Sequence, residues 1–486
     1  MIIGFKRTQI KPATVLRYLA FIMEIVISKV CCSSVINVSS AANLTKKRKK
    51  ILIIYVNIIP YNKIMTKTIL IYDNQRSEWD SVQSIKTNLL ASYNLLENVQ
   101  YEEYSITIDT TSHELYCIYE RIVKSNPDKV VFVDGVPHPS VIIPLFKSEN
   151  FKDKFEIIFH IYGDFTIKLS EWANIESVLK DFNCKFLCAS PKQVDLIKKF
   201  IIDSDENVEL CPFAIDSNTY FHSEDLRKNT RHQLSIQDDE IVFCYTGRLS
   251  YQKNIHSLIN YFYQVYRVFR LKCKFYIIGE FDDLGAPFIG KHFPNSYYFN
   301  KIFDVYKDLP EIFREKLIFT GKLSSGELNK FYNASDLFVS FSVHNDEDFG
   351  MSPLEALATG TPCIITDWGG YSAFRSEYCK TITTKIEIDS IKIDFSLAAK
   401  ETLKVLHSKF PRKEVSDYYQ SKMTQKSTTE YLKNMKTPTR FKGFSEIMHT
   451  TNSSFKANPG SPLSDSKICM NAYSDLYKRL YSSYES

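Results

Sequence analysis

The sequence predicts an α/β protein built on two doubly wound parallel sheets, and three observations predict it. Short β-branched and aromatic runs alternate with helical stretches along most of the chain, the pattern of βα units whose strands lie side by side. The 486 residues exceed what one hydrophobic core serves and fit two or three domains. A polar, proline-bearing segment, CPFAIDSNTYF at Cys211–Phe221, divides the strand runs into two sets and reads as a hinge.

Taken in order, the first set of strands is expected at Thr68–Tyr72, Lys129–Asp134, Phe155–Ile161 and Lys185–Ala189. Amphipathic helices are expected at Trp79–Leu96 and Pro191–Ile201, the second opened by Ser190 as N-cap with Pro191 at the first helical position. The second set is expected at Ile241–Thr246, Cys273–Ile278, Lys316–Thr320, Asp336–Phe341 and Cys363–Thr366. After Ile391 the pattern weakens. Residues 420–465 are rich in Ser, Thr, Lys and Asn and read as loop or partly disordered chain, whereas Met470–Tyr484 regains helical spacing. The expected organisation is a leader at 1–64 of doubtful structure, an N-terminal Rossmann-like domain at 65–213, a C-terminal one at 214–420, and a polar loop with a terminal helix at 421–486. Met65 opens the string MTKTILIYDNQ and stands as an alternative start.

Composition removes several function classes. Hydrophobic residues at 44% and charged residues at 24% fit a folded globular chain. A net charge of +5 over this length gives no basic stripe for nucleic acid. The eleven cysteines are odd in number and hold no C-x-x-C pair, which favours a reducing, cytosolic setting and argues against structural zinc. Residues 13–32 are apolar, but Arg17, Glu24 and Lys29 interrupt them. A charge at the centre of a membrane span costs about 2.5–3.5 kcal/mol. A basic run, Lys46 to Lys50, follows; a translated upstream stretch or poorly ordered leader is the leading reading, and a peripheral membrane anchor the lesser one.

Chemistry concentrates in the second half. The chain has only 15 glycines, and ten fall between Gly247 and Gly370, where tight turns and close approaches to a ligand need them. Glu347 and Glu355 stand eight positions apart in EDFGMSPLE. Ser352 reads as the N-cap and Pro353 as the first residue of a short helix whose free N–H groups suit a phosphate. Ser352 and Glu355 also fit an S-x-x-E capping box, in which the glutamate merely closes its own helix. The string Gly247-Arg248-Leu249 through Lys253 leaves the strand Ile241–Thr246 and sets two cations beside the crevice where open α/β sheets bind ligands. An arginine fork with a lysine point charge suits a diphosphate. A solvated basic turn is the plain alternative.

These strings, in this order, resemble the retaining GT-B glycosyltransferases of family 4, the glycosyl transferases group 1. Its E-x7-E motif is matched by Glu347 and Glu355 around Asp348-Phe349-Gly350, and its G-R-L-x3-K loop by Gly247 to Lys253. Tyr276–Gly279, Ile318–Gly321 and Asp367-Trp368-Gly369-Gly370 fall where the family has them, and the likeness is close over 240–372. The resemblance implies a GT-B fold with two Rossmann-like domains facing a cleft. It implies transfer of a sugar from a nucleotide-sugar donor to a glycan, lipid-linked or other hydroxyl acceptor, with retention and without a metal or other cofactor. Arg248, Lys253 and the helix start at Gly350, Met351 and Ser352 would neutralise the leaving diphosphate. Glu355 would hold the ribose, Glu347 the donor sugar, and His160, before Tyr162-Gly163-Asp164, would face that sugar. Gly247 and Phe349 complete the donor set. Asp346-Glu347-Asp348 is read as part of the glutamate motif and not as a metal ligand. A cytoplasmic enzyme in peripheral contact with the inner membrane face is the implied setting.

Two departures concern the acceptor side: Asp73–Ser77 replaces the usual glycine-rich loop, and Ala373 stands near the place of an acidic residue. A GT-B nucleotide-sugar epimerase, or a partner subunit that binds a donor without activity, are the rival readings.

Overall fold

The computed structural model describes residues 65–456, apart from 78, 148–154, 164, 271, 283–296, 344–346 and 387–390. The leader at 1–64, Asp164, Asp346 and the terminal helix expected at Met470–Tyr484 lie outside the described residues.

The N-terminal half runs β1 (Thr66–Tyr72), α1 (Asp80–Asn94), β2 (Val99–Ser105), α2 (Ser112–Ser125), β3 (Lys129–Phe132), β4 (Glu156–Ile161), α3 (Leu169–Leu179), β5 (Asn183–Cys188), α4 (Pro191–Leu196) and β6 (Val208–Leu210). These six strands pair in parallel, with β1 between β2 and β3 and the sheet continuing through β4 and β5 to β6. The strand order therefore reverses between β1 and β3. The helix expected from Pro191 starts as anticipated, Ser190 Oγ accepting from the Gln193 amide, and a π turn at Ile197–Ile201 completes it.

The C-terminal half continues with α5 (Glu224–Gln233), β7 (Ile241–Thr246), α6 (Ile255–Phe269), β8 (Cys273–Ile278), α7 (Tyr297–Lys307), α8 (Glu311–Arg314), β9 (Leu317–Gly321), α9 (Ser325–Ala334) and β10 (Leu337–Ser340). It closes with α10 (Met351–Ala358), β11 (Cys363–Thr366), β12 (Cys379–Ile382), the small hairpin β13–β14 (Thr384–Ile386, Ile391–Ile393), α11 (Phe395–Ser408) and α12 (Arg412–Gln420). Its sheet is parallel throughout, in the order β12-β11-β10-β7-β8-β9, and reverses between β7 and β10. In open α/β sheets the crevice outside such a reversal is where ligands bind. All five strands expected in this half are present.

The cores follow from the alternating burial of the strands. One buried cluster draws Leu70, Val131 and Ile158 from the first sheet together with Val242, Phe338 and Ile365 from the second, bridged by Phe213 and Phe349. Each fully buried side chain of this size contributes about 1.5–3 kcal/mol, so the two halves meet along a packed seam.

Of the stretch 420–465, residues 457–465 lie outside the described residues, and the rest corrects an expectation. It carries α13 (Gln425–Lys433), β15 (Thr439–Arg440) and α14 (Glu446–Lys456) in place of a loop. The chain crosses back to the N-terminal half: Gln425 Nε2 donates to Asn88 Oδ1 at 2.9 Å, Thr429 Oγ1 to the Ser92 carbonyl at 2.9 Å, and β15 pairs antiparallel with β5. Its hydroxyls cap backbone groups of a neighbouring helix, so its polar composition marks an interface.

Candidate active site

The site begins where β7 ends. Gly247 lies at φ +140 and Gly279, at the end of β8, at φ +148, a region that L side chains avoid. A Cβ on Gly279 would stand 1.9 Å from the Gly247 carbonyl oxygen, so the two strand ends approach as only glycine allows. The chain then delivers Arg248. Its Nη1 meets Asp282 Oδ2 at 3.0 Å, its Nη2 donates to Gln252 Oε1 at 3.2 Å, and its guanidinium lies over the Trp79 ring, 4.7 Å from the centroid. Lys253 closes a 3-10 turn at Tyr251–Lys253, and its Nζ reaches Glu347 Oε2 at 2.5 Å. This ion pair is little exposed, 15% for the lysine side chain and 7% for the glutamate.

The glutamate loop is held by close backbone packing. The Gly370 amide donates to the Glu347 carbonyl at 2.7 Å, and Cβ atoms on Gly369 or Gly370 would strike the Glu347 and Asp348 carbonyls. Asp348 Oδ2 accepts from the Gly163 amide at 2.9 Å, which ties this loop to the turn after β4. Phe349 is fully buried between Phe213 and Phe374.

The start of α10 corrects the sequence reading. Gly350, at φ +98, is the N-cap, so Met351, Ser352 and Pro353 form the first turn and Ser352 is no cap. Starting two residues early moves Glu355 into the second turn, too far along to reach back to the cap, and no side-chain capping bond forms. Its carboxylate instead accepts from Tyr332 Oη at 2.8 Å, and Tyr332 in turn bonds Thr246 Oγ1, the last side chain of β7. Burial pushes the Glu355 carboxyl up to about 7, against the opposing hydrogen bonds of Tyr332 and Tyr220.

Arg248, Lys253, Glu347 and Glu355 are thus gathered at the carboxyl edge of β7, and Gly350, Met351 and Ser352 begin the helix beside them. His160 stands apart. It is buried within β4, where its Nε2 bonds Tyr93 Oη at 2.8 Å, and its Nδ1 has no partner among the described residues. Burial lowers its pKa to about 3, so the imidazole is neutral. The turn that follows its strand meets the glutamate loop, where the Gly163 amide donates to Asp348. Sequence reasoning missed Trp79, Asp282, Tyr220 and Tyr332, because a partner from a distant element leaves no spacing signal. Asp134, at the end of β3, was also passed over. Its carboxyl is pushed up to about 7 by burial and accepts from the Asp73 amide at 3.1 Å. An open groove of about 440 Å³ beside Ser217, His222, Lys413 and Gln420 contains none of the motif residues.

Two doubly wound parallel sheets, with cations, carboxylates and a glycine-led helix start at a reversal of strand order, place the chain among the doubly wound α/β proteins, whose open sheets take ligands at such an edge. The architecture is GT-B. It superposes on Anabaena HepE, solved in complex with UDP-glucose, with a TM-score of 0.53 at 13% identity, covering 75% of this chain and 98% of that one. Residues 227–384 match the family described as glycosyl transferases group 1. The chain is 29% identical over 167 residues to the lipopolysaccharide 1,2-N-acetylglucosaminetransferase of Salmonella typhimurium, spanning 34% of this chain and 40% of the relative. It is 29% identical over 181 residues to the alpha-monoglucosyldiacylglycerol synthase of Streptococcus pneumoniae, spanning 37% and 36%. The chain therefore matches less than half the length of these curated relatives. Among the described residues no helix is long and apolar enough to cross a membrane.

Proposed function

We propose that the protein is a family 4 glycosyltransferase that moves a sugar from a nucleoside-diphosphate sugar to a hydroxyl of a glycan or lipid-linked acceptor, with retention at the anomeric carbon. The observation that carries this reading is the gathering of Arg248, the Lys253–Glu347 ion pair and the glycine-led start of α10 at one sheet edge, inside the segment matched to the group 1 family. Cleaving the sugar–phosphate bond builds negative charge on the diphosphate and positive charge on the anomeric carbon. Arg248 suits two diphosphate oxygens as a fork, and Lys253 has three donors, enough to keep Glu347 while meeting a phosphate oxygen. The free amides at the start of α10 add a fixed positive pole, and such preorganised charge is commonly the largest catalytic term. This assignment calls for no metal. Glu355 would accept from the ribose hydroxyls, Glu347 would grip the donor sugar, and the neutral His160 would serve as a hydrogen-bonding partner without charge.

The relatives named for lipopolysaccharide and diacylglycerol products support an acceptor presented at a membrane. We take the protein to meet it peripherally from the cytoplasmic side. The test is donor kinetics, read as nucleoside diphosphate released with an acceptor panel present. Arg248→Ala should lower kcat about 100-fold, the scale seen when one charge-stabilising donor is removed, and Glu355→Ala should chiefly raise donor KM. Unaltered donor kinetics in Arg248→Ala contradict the leaving-group role.

A further inference from the structure

The corner between β1 and α1, where the family resemblance calls for a glycine-rich loop, is here a pinned, side-chain-bearing turn. The buried Lys86 donates from Nζ to the carbonyls of Asp73 and Gln75 at 2.5 and 3.0 Å, and the Asp73 amide is held by Asp134. Gln83 Oε1 accepts from the Ser77 amide, and Ser77 Oγ accepts from the Trp79 amide at 3.1 Å. This fixed corner carries Trp79 across to Arg248, whose guanidinium lies over its ring at 4.7 Å. A second crossing, Asp80 to Lys322 at 2.8 Å, is half exposed on both sides, and pairs of that kind contribute little. The tryptophan contact differs in kind. An indole face holds a guanidinium flat by cation–π attraction and leaves its N–H edge for other partners. Asp282 and Gln252 already accept from its two terminal nitrogens, at 3.0 and 3.2 Å.

We propose that Trp79 is a positioning residue for Arg248, supplied by the N-terminal half, and that it fixes the plane in which Arg248 presents its N–H edge to the donor diphosphate. The proposal rests on the donor-site reading above. It makes diphosphate affinity depend on the two halves standing together, because one half holds the cation and the other its backing.

The test is a double-mutant cycle on nucleoside diphosphate binding by the full chain, with UDP, GDP and ADP each titrated and the tightest one used throughout. Intrinsic fluorescence supplies a second readout. The chain has three tryptophans, and Trp172 and Trp368 are buried while Trp79 is 43% exposed. Ligand binding should therefore change the Trp79 emission, and Trp79→Phe should remove that change while keeping affinity near wild type by offering another aromatic face. Trp79→Ala should weaken binding about three- to five-fold, the scale of a half-exposed cation–π contact. In the Arg248→Ala background it should weaken binding no further. Multiplying factors in the double variant, or equal losses in Trp79→Phe and Trp79→Ala, overturn the positioning role while leaving the donor site intact. Failure of the wild type to bind any of the three nucleotides overturns the donor-site reading and this inference with it.

Discussion

Glu355 illustrates how a single buried group ties stability to function. Its carboxyl stands at about 7 in the folded chain against 4.5 as the ordinary value. Between those pH values the unfolded chain gives up the proton while the folded chain keeps it, so raising pH through the window lowers stability, and the slope ends above about 7. Relative to Glu355→Gln, wild-type stability should fall by about 3 kcal/mol from pH 4.5 to pH 7, measured by urea unfolding. Nucleoside diphosphate binding should run the other way, since ribose hydroxyls donate best to the ionised carboxylate. Affinity should rise through pH 7 in the wild type, and less in Glu355→Gln. Lys253 sets the second residue-scale expectation. Lys253→Ala leaves Glu347 buried without its cation, a loss of about 3 kcal/mol, and adding Glu347→Gln should restore most of it in the same unfolding assay. Lys253 and Glu347 were legible as residues because the strings around them are distinctive. Their pairing was not, because 94 positions separate them.

At the scale of elements, the close approach of β7 and β8 is what aims Arg248. Gly279→Ala would place a methyl 1.9 Å from a backbone oxygen that no rotamer change can move. It should destabilise the chain by about 3 kcal/mol or more, visible as a lower melting temperature, and should weaken donor binding beyond what Trp79→Ala does. The strands of the C-terminal half could be read from sequence because they are nearly continuous apolar runs, as strands buried on both faces must be. Strand β2 could not. It lies at the sheet edge, and VQYEEYS, with two glutamates and a partly exposed pattern, lacks the apolar run by which the other strands were placed. The three-residue β6 is too short to show a period. The helix at Glu355 was legible in place but not in phase. Serine and proline looked like its cap, and a left-handed glycine took that position two residues earlier.

For the whole molecule, the most consequential element is one that composition concealed. Phe441, Phe444 and Met448 come from the stretch expected to be loop, yet they are buried in the core of the N-terminal half beside Phe186 and Trp172. Ending the chain after Gln420 would expose that core, at a cost of roughly 5 kcal/mol or more for three such side chains. The truncated protein should unfold at markedly lower urea than the full chain, with the loss arising in the N-terminal half. The two sheets were foreseeable because βα alternation is a local pattern. The return of the C-terminal segment was not, since its polar side chains cap a distant backbone and its few aromatics show no period. What joins the scales is one claim: the edge of β7 holds a diphosphate between Arg248, Lys253 and the start of α10, with Glu355 on the ribose. A crystal structure of the full chain with its tightest nucleoside diphosphate tests this most directly. Phosphate oxygens are expected within about 3 Å of the Arg248 and Lys253 nitrogens and of the amides at the start of α10, with a ribose hydroxyl on Glu355. A nucleotide bound elsewhere, with Arg248, Lys253 and Glu355 untouched, would contradict it.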